Sequence, residues 1–358
     1  MTVMLAHEDL RVVRSGCGED HRFHLLAGGS RRCPVRYLGG TVPHHGVAMH
    51  ILITGGAGFI GSNLARLALE RGHHVSIIDD LSTGYRENLD GLDVRFVEGS
   101  ILDPEKLGAA VEGVDSVIHL AALGSVPRSI KNPAATHEAN ATGTLRVLEA
   151  ARDAGVQHAV CASSSSVYGM NPALPKHERE WVRAMSPYAV SKLATEQYTL
   201  AFQQSYGMDT LAFRFFNVYG PRQRAGHVYA AVIPIFIDAL LKGEELPING
   251  DGSNSRDFTY VGTVCRVLLE AAEQKVTHPE PVNLAFGTNT TLLELVGKIE
   301  DAAEQKATVV HRDPRPGDVK HSQAKNDSLV GLFPTVQPVP LEQGIAETLA
   351  WFRETGSN

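Results

Sequence analysis

The sequence predicts an α/β protein: a doubly wound parallel sheet followed by a smaller C-terminal α/β region. Three observations predict it. From His50 onward, short apolar runs alternate with helical patterns. The runs are apolar at successive positions, as strands covered on both faces must be. After about Asn217 the alternation gives way to helices separated by loops rich in Gly, Pro and Arg. The bulk numbers agree, since 358 residues with 43% apolar and 20% charged content suit a soluble chain with a large core. A net charge of −7 provides no basic surplus for nucleic acid. No run reaches the roughly 18 apolar residues of a membrane helix.

The strands read in order as "HILIT", "HVSIID", "VRFVEG", "SVIHLAA", "HAVCASSS" and "TLAFRF". Helical periodicity lies between most of them, over 62–71, 104–112, 133–154 and 187–206, whereas 80–93 reads as a loop. Later helices are expected over 231–242, 263–274 and 292–303, separated by "YGPRQRAG", "NGDGSNSRD" and "RDPRPGD". The expected division is an extension over 1–48, a sheet domain over 49–217 to which later segments return, and a substrate-binding region over 218–358. The extension carries Arg11, Arg14, Arg22, Arg31, Arg32 and Arg36 with few periodic apolar positions, and is expected to be poorly ordered. Its "HLLAGG" is shorter than the apolar core of about 7–15 residues that a signal peptide needs. Met49 offers an alternative start of translation. Cys17, Cys33, Cys161 and Cys265 have no framework spacing and read as free thiols in a reducing cytoplasm. No H-E-x-x-H or C-x-x-C spacing occurs, so no metal is expected.

Gly55, Gly56, Gly58 and Gly61 crowd seven residues where the first strand meets the first helix. Gly55, Gly58 and Gly61 carry the pattern for a tight turn, close approach of backbone to a pyrophosphate, and close helix packing. Free N–H groups at the helix start favour the anion. The next strand ends in Asp79, eighteen residues past Gly61. Its carboxylate suits a ribose 2′-hydroxyl and repels a 2′-phosphate, which favours NAD over NADP. Asp80 is the adjacent alternative. The sheet is therefore of Rossmann type. A glycine-rich turn that holds nothing is the competing reading, and it requires strand, glycines, helix and acid to coincide.

"CASSSSVYG" ends a strand in a polar run, and "SPYAVSK" opens a helix with Tyr188 and Lys192 four apart. That spacing puts both side chains on one helix face. An ammonium beside a phenol favours the phenolate, which can take a proton from a sugar hydroxyl. Y-x-x-x-K also arises in ordinary amphipathic helices; its company here argues for chemistry.

On these motifs the chain resembles the extended short-chain dehydrogenases/reductases, and within them the UDP-sugar 4-epimerases. The resemblance runs from Met49 nearly to the C-terminus, through "TGGAGFIG", "HLAALGSVPRSI", "NATGTLRVLEAAR", "SSSSVYG", "SPYAVSK", "FRFFNVYGPRQ", "INGDGSNSRDFTYV" and "RPGDVKHSQA". "ALGSVPRSI", "YAAVIP" and "GDVKHS" are most similar to the UDP-N-acetylglucosamine/galactosamine 4-epimerases.

The resemblance implies Ser164 as catalytic serine on the sugar 4-oxygen and Tyr188 as base. It implies Lys192 on the nicotinamide ribose. Around NAD it places Phe59 and Ile60 of the glycine loop, Leu120, Ala121 and Ala122, and Asn140. Ile101 is preceded by Ser100 where relatives carry an adenine-side acid. Related dehydratases carry Asp-Glu, and decarboxylases a Glu, where Ser165 and Ser166 stand. A serine cannot act as a carboxylic acid, so 4-epimerisation is implied. Arg256 and Arg315 are assigned to the UDP diphosphate, where guanidinium forks suit phosphate. Asp318 is assigned to the uridine ribose, Asn217 to a phosphate oxygen and Val232 to the uracil. Ser125, Val126, Arg128, Ser165, Ser166 and Gln223 are assigned to the hexose. Ser322 stands where epimerases restricted to glucose-type sugars tend to carry tyrosine, and leaves volume for a 2-acetamido group. Gly262, Thr263 and Lys325 depart from the family pattern and are expected to loosen the C-terminal region. A homodimer through the helices over 133–154 and 187–206 is also implied. UDP-glucuronate or UDP-glucose as substrate stays open. So does a non-catalytic NAD-binding role, against which the intact Ser164, Tyr188 and Lys192 speak.

Overall fold

The computed structural model describes residues 47–226, 231–313 and 320–356. Arg315 and Asp318, with Cys17, Cys33 and residues 1–46 of the extension, lie outside the described residues. The first half of the fold runs β1 (His50–Thr54), α1 (Phe59–Glu70), β2 (His74–Asp79), β3 (Arg95–Glu98), α2 (Pro104–Val111), β4 (Ser116–His119) and α3 (Val126–Lys131). It continues through α4 (Pro133–His137), a π-helical segment (Glu138–Thr142), α5 (Gly143–Asp153), β5 (His158–Ser164), a 3₁₀ turn (Ser165–Tyr168), α6 (Pro187–Tyr206) and β6 (Asp209–Phe215).

The rest comprises β7 (Asn217–Tyr219), α7 (Val232–Lys242), β8 (Leu246–Asn249), β9 (Ser255–Arg256), β10 (Phe258–Tyr260) and α8 (Val261–Glu273). After it come β11 (Val282–Leu284), β12 (Thr290–Thr291), α9 (Leu292–Ala303), β13 (Val309–Arg312), β14 (His321–Ser322), α10 (Asp327–Leu332) and α11 (Leu341–Thr355).

Among the described residues the main sheet has seven strands in the order β3-β2-β1-β4-β5-β6-β11, and every pairing is parallel. The order reverses between β1 and β4, and the carboxyl ends of those strands open a crevice there. Both faces are covered. Ile51 and Ile53 pack in one core with Leu64, Ala65 and Val264, while Leu52 packs in the other with Leu107, Leu148 and Phe202. That alternation is the pleat of β1 read out in packing.

Helix α6 spans the predicted 187–206. The Ser186 hydroxyl accepts the Ala189 N–H at 3.1 Å, Pro187 takes the first turn, and Gly207 ends the helix at φ 67°. The predicted helix over 133–154 is instead interrupted by the π segment, beside which the Thr144 hydroxyl donates to the Asn140 carbonyl at 2.6 Å. Helices α3, α10 and α11 and the two- and three-residue strands are further elements that the periodicity did not announce.

A buried polar chain ties the sheet to its helices beneath the crevice. His119, 2% exposed, meets the Thr54 hydroxyl through Nδ1 at 2.7 Å and the Thr144 hydroxyl through Nε2 at 3.0 Å. Thr144 continues to Thr195 of α6 at 2.9 Å. Burial, with the charge of Lys192 nearby, pulls the His119 imidazole from 6.5 down to about 3. The folded protein therefore keeps His119 neutral while the unfolded chain protonates it, so stability falls as pH drops from 6.5 toward 3. Thermal melts across that range should show His119→Gln with a shallower acid-side loss than the parent protein; identical slopes would refute a neutral His119.

Candidate active site

The glycine loop is built by exclusion. Gly55 has φ +70°, and a Cβ there would lie 2.7 Å from the Ala121 nitrogen. A Cβ on Gly61 would lie 2.4 Å from the Gly55 oxygen and 2.7 Å from the Gly56 Cα. Backbone cannot yield as a flexible side chain can, so these positions demand glycine. Helix α1 then starts at Gly58 with no side-chain cap and no acidic residue in its first turn. Its first N–H groups face an anion-favouring end, as a pyrophosphate requires. Leu120 and Ala121 are held opposite because the Thr54 hydroxyl accepts both their N–H groups at 3.2 Å.

Asp79 sits at the end of β2, 8% exposed. Its oxygens accept the Ala57 N–H at 2.9 Å and the Leu81 N–H at 2.8 Å. Burial raises its carboxyl above the ordinary range, and those two N–H groups oppose the rise. A carboxylate offers about four acceptor positions, so two backbone bonds leave capacity for ribose hydroxyls. The loop after it folds back onto the glycine loop, with the Tyr85 N–H and the Asn88 amide both donating to the Ala57 carbonyl. The residues present thus fit NAD, with a bare loop for its phosphates and a carboxylate for its ribose. Ile101 is buried, with its Cδ1 2.6 Å from where a Cβ on Gly143 would stand, while the Ser100 hydroxyl accepts the Leu102 N–H within its own turn. Asn140 is 1% exposed, and its amide clamps both backbone groups of Leu123 and donates to the Ser191 hydroxyl. It therefore fastens the loop after β4 to α6.

Ser164 ends β5, its hydroxyl accepts the Ser166 N–H at 3.2 Å, and its proximity to the Tyr188 phenol favours the phenolate. Lys192, 5% exposed, donates its ammonium to the Ala162 carbonyl at 2.8 Å. The three groups meet at the carboxyl ends of the strands, beside the crevice. The expected electrostatics need correction. Burial raises the phenol of Tyr188, and the hydroxyl of Ser164 is what opposes the rise. Lys192 donates one of its three ammonium protons to the strand, and burial draws it down from 10.5 to about 8.

Around this cluster, Ser125 caps α3 with backbone at φ +117°, a strained setting for a residue with a Cβ. It leads into Val126, which is exposed, and Arg128, which is half-buried. Ser165 and Ser166 lie in the 3₁₀ turn. The Ser166 Oγ and the Gln223 Oε1 are buried without a hydrogen-bond partner among the described residues. Asn217 donates its side-chain amide to the Asp257 carbonyl at 3.2 Å, and Val232 opens α7 half-buried. Ser322 of β14 pairs with Arg256 of β9, and Arg256 donates to the Ser255 carbonyl at 2.9 Å.

The wall they form is stiffened by residues that sequence reasoning missed. Asp257, fully buried, accepts the Gly287 N–H at 3.0 Å, the Thr288 hydroxyl at 2.9 Å and the Ala324 N–H at 3.1 Å. Gln323 is gripped on both sides, its carbonyl by the Lys176 N–H and its own amide on the Gly287 carbonyl. Nearby, the Thr263 hydroxyl accepts the Val339 N–H at 3.0 Å, and the Lys325 N–H donates to the Lys176 carbonyl. Asp257 stands next to Arg256 in "SRDF", and Thr54 and His119 open the quoted "TGGAGFIG" and "HLAALGSVPRSI", but nothing in the motifs announced these buried bonds.

Substituting Gly61→Ala forces backbone apart at the glycine loop. A loss of about 1–3 kcal/mol is expected, as for other overpacked sites, together with weakened NAD binding. Chemical denaturation and calorimetric titration with NAD check both; unchanged values would contradict the close approach.

Comparison with known proteins follows the same architecture. The chain is 39% identical to the UDP-glucose 4-epimerase of Mycolicibacterium smegmatis, over 85% of this chain and 99% of that protein. Among solved structures it is similar to the UDP-N-acetylglucosamine 4-epimerase of Methanobrevibacter ruminantium in complex with UDP-N-acetylmuramic acid. That likeness has a TM-score of 0.81 at 37% identity, covering 86% of this chain and 99% of the other. The UDP-glucose 4-epimerase of Thermus thermophilus, in complex with NAD, matches with a TM-score of 0.77 at 36% identity, covering 85% and 99%. The model of the NAD dependent epimerase/dehydratase family matches residues 51–285. With that match and relatives of this similarity spanned almost end to end, the chain belongs to the NAD dependent epimerase/dehydratase family.

Proposed function

We propose that the protein interconverts UDP-N-acetylglucosamine and UDP-N-acetylgalactosamine at C4. The observation that carries the reading is the meeting of Ser164, Tyr188 and Lys192 beside a fitted dinucleotide loop, with no carboxylate in the 165–166 turn. Tyr188 takes the proton of the 4-hydroxyl and later returns it. Ser164 holds the 4-oxygen and, through its proximity to Tyr188, favours the phenolate. Lys192 remains largely charged below about pH 8 and adds positive potential at the phenol's helix. The glycine loop at Gly55, Gly58 and Gly61 and the Asp79 carboxylate would hold NAD, which would supply reversible hydride acceptance at C4 without net consumption. The 4-keto sugar turns over in the pocket between those transfers, which exposes its other face.

The partnerless Ser166 Oγ and Gln223 Oε1 support a hydroxylated ligand, since a buried polar atom costs about 1–3 kcal/mol until it is paired. Arg256, with Arg315 and Asp318, is our assignment for the UDP moiety. Ser322 supports the acetamido sugar by leaving volume. A small wall permits a substrate without excluding smaller ones, so UDP-glucose is the second reading, favoured by the name of the Mycolicibacterium relative. We also propose a homodimer through α6, where Val190 and Tyr198 stand 53% and 37% exposed. Sedimentation equilibrium at micromolar protein should give twice the chain mass; a monomer would exclude it.

Purified protein with NAD should convert UDP-N-acetylglucosamine to UDP-N-acetylgalactosamine, read by chromatography of a UDP-sugar panel. Tyr188→Phe should stay folded and lose at least about a hundredfold in rate, the usual scale for an acid–base residue. A wild type that binds NAD but converts no UDP-sugar would reject the reading. Ser322→Tyr should lose the N-acetylated sugars while keeping UDP-glucose; equal loss of both would remove Ser322 as the selective position.

A further inference from the structure

Directly under the reacting cluster lies a buried ion pair between α6 and β6. Glu196 and Arg214 are 1% and 3% exposed. Arg214 binds the carboxylate with both arms of its fork, Nε to Oε2 at 2.8 Å and Nη2 to Oε1 at 2.7 Å. Its remaining nitrogen donates to the Glu178 carbonyl at 3.0 Å, and its guanidinium lies 4.7 Å from the centre of the Tyr168 ring. A buried pair of this kind stabilises little compared with apolar side chains of the same volume. Its place in this molecule calls for another reason.

The reason lies in what the pair touches. Glu196 follows Lys192 by one helical turn and Tyr188 by two, so the three share a face of α6. Ser163, 2% exposed, shares its hydroxyl proton between the Glu196 carboxylate at 3.1 Å and the Lys192 carbonyl at 3.2 Å. Ser163 is the residue before Ser164, and it stands opposite Arg214 in the β5–β6 register. Through the Tyr168 ring and the Glu178 carbonyl the same guanidinium also holds two points within the loop that joins Ser166 to Tyr188. One buried pair therefore contacts every piece of chain that carries a reacting group.

We propose that the Glu196–Arg214 pair is a positioning element for catalysis, acting through Ser163 to hold the Tyr188–Lys192 helix against the strand end that carries Ser164. It sets the placement of the proton-transfer groups and leaves the nucleotide-binding wall alone, so it governs kcat and not KM. This rests on the reading of Tyr188 as base. Ser163→Ala deletes only the shared hydroxyl. Its kcat should fall about tenfold, with KM for the UDP-sugar within about twofold and the melting temperature close to the parent's. Ser163→Thr, which restores the hydroxyl, should recover most of the rate. Glu196→Met combined with Arg214→Met removes both charges together and strands neither; it should melt near the parent and still be slow.

A folded Ser163→Ala with kcat within twofold of the parent overturns the proposal. So does a loss in which KM rises or the melting temperature drops in step, because that is general loosening. A double variant that folds and turns over at the parental rate also overturns it. If the double variant does not fold, the Ser163 pair of variants decides alone. A parent protein that converts no UDP-sugar fails the reading of the site instead, so the two failures are told apart.

Discussion

The site depends on how α6 seats against β5. Two hydrogen bonds cross that contact in opposite senses. The Lys192 side chain donates to the backbone of β5 at Ala162, and the Ser163 side chain of β5 donates to the backbone of α6 at Lys192. Such reciprocal bonding restrains both sliding and rotation of a helix on a strand. Ser164 comes one residue later and Tyr188 one turn earlier, so the seat decides where hydroxyl and phenol meet. The His119–Thr144–Thr195 chain and the Asn140 clamp brace the same helix from the other side of the crevice.

The interior around this seat is kept nearly free of titration at neutral pH. His119 is held down at about 3 and the Cys161 thiol is pushed up to about 11, both chiefly by burial. Lys192 is therefore the charge that the surroundings leave to act, and its proximity disfavours the protonated form of His119. Removing an ammonium from water is unfavourable, which is why Lys192 falls to about 8. A site that takes a proton from an alcohol gains from a local positive potential and from neighbours that do not compete for the proton. Cys265 shows the contrasting use of burial, a thiol inert at 1% exposure within the apolar core.

Much of this was legible in the residues. The glycine spacing, Asp79, and the Tyr188–Lys192 interval each carry a local physical reason, and the bounds of α6 were announced by Ser186, Pro187 and Gly207. What stayed hidden was set by contacts distant in sequence. Strands of two or three residues, such as β9 and β14, are too short for periodicity and exist only through their pairing. The charge relation between Tyr188 and Lys192 depended on burial, which spacing does not report. In the run "SSSS" nothing distinguished Ser163, turned toward the helix, from Ser164, turned toward the crevice; only the strand pleat separates their tasks. The π segment within 133–153 is a backbone detail that the apolar pattern could not reveal.

The outermost strand of the main sheet, β11, is drawn from residues 282–284, and it pairs Val282 and Leu284 with Phe213 and Phe215 of β6. This has a bearing on biosynthesis. While a nascent chain is still short of Leu284, β6 stands as a bare, aromatic-rich border, the kind of edge that recruits foreign strands. The main sheet is completed only once the chain has emerged through Leu284, well beyond β6. Cutting the gene between the two regions would therefore release a sheet of six strands with its β6 edge unpaired.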